Sequence, residues 1–328
     1  MNDNIKATIF IPTYNGEKYL RRILKMIFKQ KVDFEYEVLI IDSGSKDKTL
    51  DIIHEFKVKH DNLYLEQIPN TEFGHGKTRN YAAKIAHGEI VVYLSHDAVP
   101  ANNMWLYEIV KPFDLNEKII GVTGKQSPRA KCVPLQKYEI IGAFRGLGPD
   151  FGTTVFYKDD FMKNRVYDDS VCFYSDVNSA ARRHYLVNVI PYRDVPYAED
   201  QLFGRDLIEA GYCKAYAARA NVEHSNDLRL AEYKHRIFDE IVGLRKIGVE
   251  VHRPSIKGVV KMTVVGVARD AVKTVLDPGY SLKRKIFWLV LNPFYHIEKW
   301  RGFRLAAAAD IKDDAIFAKY SLEQKRIK

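Results

Sequence analysis

Apolar positions along the first hundred residues alternate between two periods. Ala7 to Ile11 is a short apolar run closed by Pro12-Thr13-Tyr14-Asn15-Gly16. Leu20, Ile23, Leu24, Ile27 and Phe28 then recur at helical spacing with Lys and Arg opposite them, so the pattern predicts strand, turn and amphipathic helix. Val38 to Ile41, Asp42-Ser43-Gly44-Ser45, and Leu50, Ile53 and Phe56 repeat that order. A third strand is predicted near Leu63 to Gln67, and a helix over Lys77 to His87 with Arg79 and Asn80 in its first turn. Ile90-Val-Val-Tyr-Leu94 is apolar without alternation, as a strand buried on both faces is, and it runs into Ser95-His96-Asp97. Strands and helices joined by short connections predict a parallel sheet with right-handed crossovers. Ligands of such sheets bind beyond the carboxyl ends of the strands, which places Asp42 and Asp97 along one edge.

Downstream, Leu147 to Thr154 reads as a flexible loop able to close over a ligand. Gln201 to Ala210 reads as an amphipathic helix, closed by Gly211 and preceded by Glu199-Asp200, where one acid can serve as an N-cap. Composition adds a division. The chain of 328 residues is 46% hydrophobic, enough for a large core. Its net charge of +9 is uneven: residues 229–328 hold 21 Lys and Arg against 11 Asp and Glu, leaving the first 228 residues at −1. We therefore expect a catalytic domain over 1–228, with a nucleotide-binding half to about residue 100 and an acceptor half over 101–228, followed by a basic helical region over 229–328.

Cys132, Cys172 and Cys213 have neither disulfide-framework nor zinc spacing, which favours a reducing compartment. No secretory leader is expected, since Met1 to Lys6 is polar. The longest apolar runs, such as Ile286 to Leu291, fall short of the roughly 18 to 20 residues a spanning helix needs. In the basic region, Lys283-Arg284-Lys285-Ile286-Phe287-Trp288-Leu289-Val290 and Phe294 to Arg301 interleave cations with aromatics. Two readings fit: a helix lying in a membrane interface, or a basic hairpin with its aromatics buried. Nucleic acid is disfavoured, because no module pattern is present and the charge is dispersed.

The first strand–helix turn lacks Gly-x-Gly-x-x-Gly, and no Walker A sequence occurs, so dinucleotide and P-loop chemistry are excluded. Pro12-Thr13-Tyr14-Asn15, Ile41-Asp42-Ser43-Gly44-Ser45, Ser95-His96-Asp97 and Ala198-Glu199-Asp200-Gln201 resemble the ordered motifs of family 2 glycosyltransferases of the GT-A fold. Phe73 to Asn80 and Ser175 to Arg183 further resemble the rhamnosyltransferase branch, which uses dTDP-L-rhamnose. The resemblance covers about the first 230 residues. It implies an α/β fold, Rossmann-like with a mostly parallel central sheet and flanking helices, here with a helical C-terminal extension. One departure stands out: the family's Asp-x-Asp carries Ser95 in its first place.

On this resemblance Asp97 and His224 are the metal ligands, for Mn²⁺ or Mg²⁺ on the donor diphosphate. Pro12, Thr13, Tyr14, Asn15, Asp42, Gly76, Arg79, Ser95 and His96 are donor-side candidates. Asp42 has the form of a reader of a pyrimidine N3–H and equally of an Asx-turn residue, and Arg79 is expected on Asp42 or the diphosphate. Inverting transfer needs a general base, which the motif makes Asp200, with Glu199 as its acceptor-binding or orienting neighbour. Asn178, Arg182 and Arg183 are acceptor-side candidates; for the two arginines a solvated helix start is the alternative. The implied reaction is transfer of L-rhamnose to a polyprenyl-linked or cell-surface glycan at the inner face of a bacterial membrane. Alternatives are a UDP-hexose donor, or a non-catalytic scaffold of glycan assembly. A processive polymerase is disfavoured by the lack of Gln-x-x-Arg-Trp.

Overall fold

The computed structural model describes residues 5–159 and 169–322. The predicted alternation is realised as β1 (Ile5–Thr13), α1 (Glu17–Ile27), β2 (Glu35–Asp42), α2 (Thr49–Lys57), β3 (Leu63–Gln67), α3 (His75–Ile85) and β4 (Ile90–Leu94). Next come β5 (Val99–Pro100), α4 (Trp105–Val110), β6 (Ile119–Ser127), α5 (Pro134–Leu147), β7 (Thr153–Phe156) and α6 (Asp169–Cys172). β8 (Asn178–Arg182), α7 (Arg183–Asn188), α8 (Glu199–Glu209) and β9 (Cys213–Glu223) follow. Of the stretch read as a closing loop, Leu147 ends α5 and Thr153 starts β7, which pairs antiparallel with β9, while residues 148–152 between them are loop.

Among the described residues the strands form one sheet in the order β3-β2-β1-β4-β8-β6-β9-β5, with β7 also on β9. β3, β2, β1 and β4 are mutually parallel, as the strand–helix alternation requires. The other side is mixed, since β8 runs antiparallel to both β4 and β6 while β9 is parallel to β6. That reversal matters for the site. Leu94 at the end of β4 pairs with Asn178 at the start of β8, so the residues just before β8 lie beside those just after β4.

Side chains alternate across the sheet. Ile9 and Ile11 pack with Leu20 and Ile23 of α1, while Phe10 packs on the opposite face with Ala82 of α3 and Phe203 of α8. β4 is buried at every position because both faces are covered.

Contacts divide the chain into two compact units, Met1–Ser127 with Gly142–His224, and Pro128–Ile141 with Ser225–Lys328. The second unit holds α9 (Leu230–Lys246), α10 (Ile256–Leu276), α11 (Leu282–Ala308) and α12 (Asp314–Tyr320), around a core that includes Tyr233, Phe238, Trp288 and Tyr295. Ser255 and Ser281 cap α10 and α11 by accepting from Gly258 and Arg284 backbone N–H groups. Pro293 does not break α11. Asn292 accepts from the Leu135 N–H at 3.0 Å and His296 contacts Asp270 at 2.8 Å, so tertiary bonds hold the helix on both sides of the proline.

Candidate active site

The loops after β1 and β2 are locked together by their own polar side chains. Asp42 is fully buried. Its Oδ1 accepts from Thr13 Oγ1 at 2.9 Å and Ser45 Oγ at 2.5 Å, and its Oδ2 from the Gly44 and Ser45 N–H groups at 3.1 and 2.9 Å. Asn15, at φ 50°, donates its N–H to Ser45 Oγ at 2.9 Å and accepts on Oδ1 from the Lys46 N–H at 2.8 Å. Asp42 thus takes the Asx-turn role, and both its oxygens are occupied by the loop. Tyr14 is half-buried on that loop, and His96 Nδ1 lies 3.2 Å from the Pro12 carbonyl.

Beyond β4, Asp97 Oδ2 lies 3.4 Å from His224 Nε2. On the other side of the ring, His224 Nδ1 is 3.0 Å from Gln126 Oε1, and Gln126 Nε2 donates to Ser175 Oγ at 3.0 Å. The amide oxygen facing Nδ1 favours a proton on that nitrogen, which leaves Nε2 as the ring atom directed at Asp97. The carboxylate oxygen and the imidazole nitrogen are close enough for both to reach one cation. Ligands about 2.1 Å from one ion stand roughly 3 Å apart when cis, so the pair fits. Among the described residues no group of three or more His, Cys, Asp or Glu is gathered for a metal.

Glu199 and Asp200 open α8 behind Ala198, a non-glycine residue at φ 64°. Arg79 from α3 is buried between acids: its Nε is 2.8 Å from Asp176 Oδ2, its Nη1 bonds Glu199, and it lies over the Tyr192 ring. Asp176 Oδ1 accepts from Ser179 Oγ at 2.5 Å and Tyr192 OH at 3.0 Å, and the Asp176 N–H donates to Asp200 Oδ2 at 3.2 Å. Burial, then the charges of Glu199 and Asp176, push the Asp200 carboxyl up to about 7. Burial also acts on Glu199, but Arg79, with His75 adding, outweighs it and lowers that carboxyl. The two adjacent acids are thereby driven apart, Glu199 held as an anion and Asp200 poised at neutral pH.

Ser175, Asp176 and Val177 join these parts. Ser175 receives Gln126, the Asp176 N–H reaches Asp200, and the Val177 carbonyl accepts from the Ser95 N–H at 3.2 Å. The segment leading into them is pinned from β9 by buried Lys214, which donates to the Ser170 and Phe173 carbonyls at 2.8 and 2.5 Å.

The sequence profile described as Glycosyl transferase family 2 matches residues 8–189. The chain is 30% identical over 237 residues to the O-antigen chain rhamnosyltransferase RfbN of Salmonella typhimurium, covering 72% of this chain and 71% of that one. WbaN of Salmonella anatum, also an O-antigen chain rhamnosyltransferase, is 30% identical over 237 residues, 71% and 70% of the two chains. The chain belongs to glycosyltransferase family 2. Its GT-A-type fold is shared with the mannosyltransferase PcManGT of Pyrobaculum calidifontis, solved with GDP-Man and Mn²⁺, at TM-score 0.57 and 18% identity over 95% of this chain and 88% of that one. S. aureus TarS 1-349 with UDP-GlcNAc aligns at TM-score 0.53 and 20% identity, covering 96% and 79%.

In this glycosyltransferase several expected donor and acceptor residues have other work. Arg79 is not on Asp42 but on Asp176 and Glu199, because α3 packs on the far face of the sheet from the α2 loop. A Cβ on Gly76 would stand 2.4 Å from the Arg193 carbonyl oxygen, so this glycine admits backbone. Asn178 is fully buried: its oxygen accepts from Trp105 Nε1, and its nitrogen donates to the Lys125 and Ala220 carbonyls.

Arg182 pairs with Ile90 at the start of β4, the end of the sheet away from Asp97, because β8 is antiparallel. Its guanidinium donates to the Ile119 and Phe113 carbonyls, while Arg183 donates to those of Ala83 and Lys84. Both arginines are structural clamps, neither at the acceptor side nor a merely solvated helix start. Gln126, Ser175, Asp176 and Tyr192 were not singled out as site residues. The one signal for Asp176 was its place in Ser175 to Arg183, and Gln126 sits in no motif.

Proposed function

We propose that this family 2 glycosyltransferase moves L-rhamnose from dTDP-L-rhamnose, with inversion, to a hydroxyl of a polyprenyl-linked or cell-surface glycan. Asp97 and His224 hold a divalent cation, Mn²⁺ or Mg²⁺, on the donor diphosphate, and Asp200 is the general base. The observation that carries this reading is the short bridge 175–177, which touches the Gln126–His224 pair, the Asp200 carboxylate and the Ser95 backbone. The proposed ligand His224, through Gln126, and the proposed base Asp200 are thereby both hydrogen-bonded to one short segment. When bound, the cation supplies positive charge where the leaving diphosphate becomes more negative. Gln126 keeps the His224 lone pair free for that cation. Asp200, with a pKa of about 7, is ionised often enough to accept a proton and basic enough to take one from an attacking hydroxyl. Glu199 supports it through charge and through Arg79, while Asp42 acts by shaping the loop on which Thr13, Tyr14 and Asn15 meet the base.

The rhamnosyl donor and the glycan acceptor are supported by the two O-antigen rhamnosyltransferases at 30% identity. A second reading, a UDP-hexose donor, is favoured by the likeness to TarS bound to UDP-GlcNAc. The acceptor's lipid anchor and the basic region over 229–328 support peripheral contact with the inner face of the cell membrane.

Donor hydrolysis by the purified protein with Mn²⁺ tests the assignment. Release of dTDP from dTDP-rhamnose, with no UDP from UDP-glucose, UDP-galactose or UDP-GlcNAc, is expected, and the opposite selectivity would establish the second reading. Undiminished turnover in excess chelator would remove the cation.

A further inference from the structure

α10 is built inside out. The positions it buries are Gly266, Asp270 and Thr274, spaced four apart on one face, whereas Val264, Val265, Val272, Val275 and Leu276 are 53% to 74% exposed. A helix packed on a water-soluble protein has the reverse order, its apolar stripe inward. α11 is mixed over its first half: it buries Asn292 and His296 together with Trp288 and Tyr295, while Ile286, Val290, Phe294 and Ile297 are exposed by 41% to 66%. No Asp, Glu, Lys or Arg occurs from Ile286 to Ile297.

The polar faces of the two helices meet each other. Fully buried Asp270 receives His296 Nε2 at 2.8 Å and Arg269 Nε at 3.0 Å. A Cβ on Gly266 would stand 2.6 Å from the His296 ring, so the glycine, which costs a helix about 1 kcal/mol relative to alanine, lets the helices close on this contact. Polar groups turned inward and aliphatic groups outward is the arrangement a hydrocarbon solvent selects. The charges flanking the apolar face are almost all positive: Lys257, Lys261 and Lys273 on α10, and Lys283, Arg284 and Lys285 at the start of α11. Between the helices a cleft of about 290 Å³ is lined by Lys261, Arg269 and Lys299 against the single acid Glu139, with Trp300 beside them. Among the described residues no helix is long and apolar enough to cross a membrane.

We propose that α10 and α11 enter one leaflet of an anionic bilayer side by side, as a hairpin lying in the interface. Their apolar faces reach the acyl region and their lysines and arginines meet phosphate headgroups. The inference rests on the membrane contact proposed above and deepens it from electrostatic contact to insertion.

The test is flotation of the full chain with phosphatidylcholine vesicles and with vesicles containing roughly one-third phosphatidylglycerol, at low salt and at about 0.5 M NaCl, where surface charge is screened. Wild type and a Val272→Glu/Val290→Glu variant are compared, with circular dichroism and Tm confirming that both fold; the two valines are 60% and 66% exposed. Insertion predicts binding to the anionic vesicles that survives high salt, and a loss of roughly 10-fold for each valine replaced. Binding that high salt removes and the variant retains would overturn insertion while leaving the electrostatic contact. No binding of wild type to either vesicle would overturn both. A dimer in sedimentation that the variant dissolves would assign the face to a second copy and overturn the proposal.

Discussion

At the scale of single residues, the proposed base is tuned by a neighbouring carboxyl shifted in the opposite direction. Glu199 stays ionised against Arg79, and its charge helps hold Asp200 near 7. A base is active as the carboxylate, so kcat/KM should rise with pH through about 7 and level off above it. Glu199→Gln removes a negative charge beside Asp200, which makes the carboxylate easier to form. The acid limb should therefore move to lower pH, and a limb that stays in place or moves up would dissociate Glu199 from the titration. Gln126→Leu removes the acceptor that fixes the His224 tautomer, and Mn²⁺ affinity measured by calorimetry should fall roughly 10- to 100-fold.

The ends of β1, β2 and β4 were legible because each sits where an apolar run stops, and the Glu199-Asp200 pair because it matches a family motif just ahead of an amphipathic helix. Gln126 and Asp176 were not, since their roles follow from contacts made 98 and 24 residues away in sequence. Asp42 carried both readings in the sequence, and the four donors around it decide for the turn.

At the scale of elements, the direction of β8 decides the site. Periodicity predicts parallel strands where helices intervene, and it reads β1 to β4 correctly. It carries no sign of a strand that returns antiparallel after a long excursion, which is why Arg182 and Arg183 lie at the end of the sheet away from Asp97, whereas Asn178 lies at the near end with its side chain taken up by Trp105, Lys125 and Ala220. The same reversal brings Ser175 to Val177 beside the end of β4. α3 acts as a buttress: Asn80 exchanges hydrogen bonds with the Tyr192 backbone at 2.8 and 2.9 Å, and Gly76 lies under the Arg193 carbonyl. Gly76→Ala must push that carbonyl away. A loss of about 1–3 kcal/mol in urea denaturation is expected, with kcat falling as α8 and its acids shift. An unchanged midpoint with full activity would show the contact to be soft.

At the scale of the molecule, charge and chemistry are segregated. The first 228 residues carry −1 and the last hundred +10, and all the acids and ligands discussed for transfer lie in the first group. Helical content after residue 229 was legible from pattern. The inverted polarity of α10 was not, because a sequence shows that valines and Gly-Asp-Thr alternate but not which set faces the protein. Since ligands that bind only the folded state raise its stability, dTDP-rhamnose with Mn²⁺ should raise Tm more than either alone. An equal shift with and without Mn²⁺ would argue that donor and cation do not share a site.

The most direct measurement is on Asp200→Asn, an isosteric change that removes the proposed base and leaves the loops after β1 and β2 and the Asp97–His224 pair in place. Donor affinity by calorimetry and transfer rate are measured on the same preparation. The account predicts a Kd for dTDP-rhamnose within about 3-fold of wild type and a kcat lower by roughly 10²- to 10⁴-fold. A variant that binds donor and transfers sugar at the wild-type rate would contradict it.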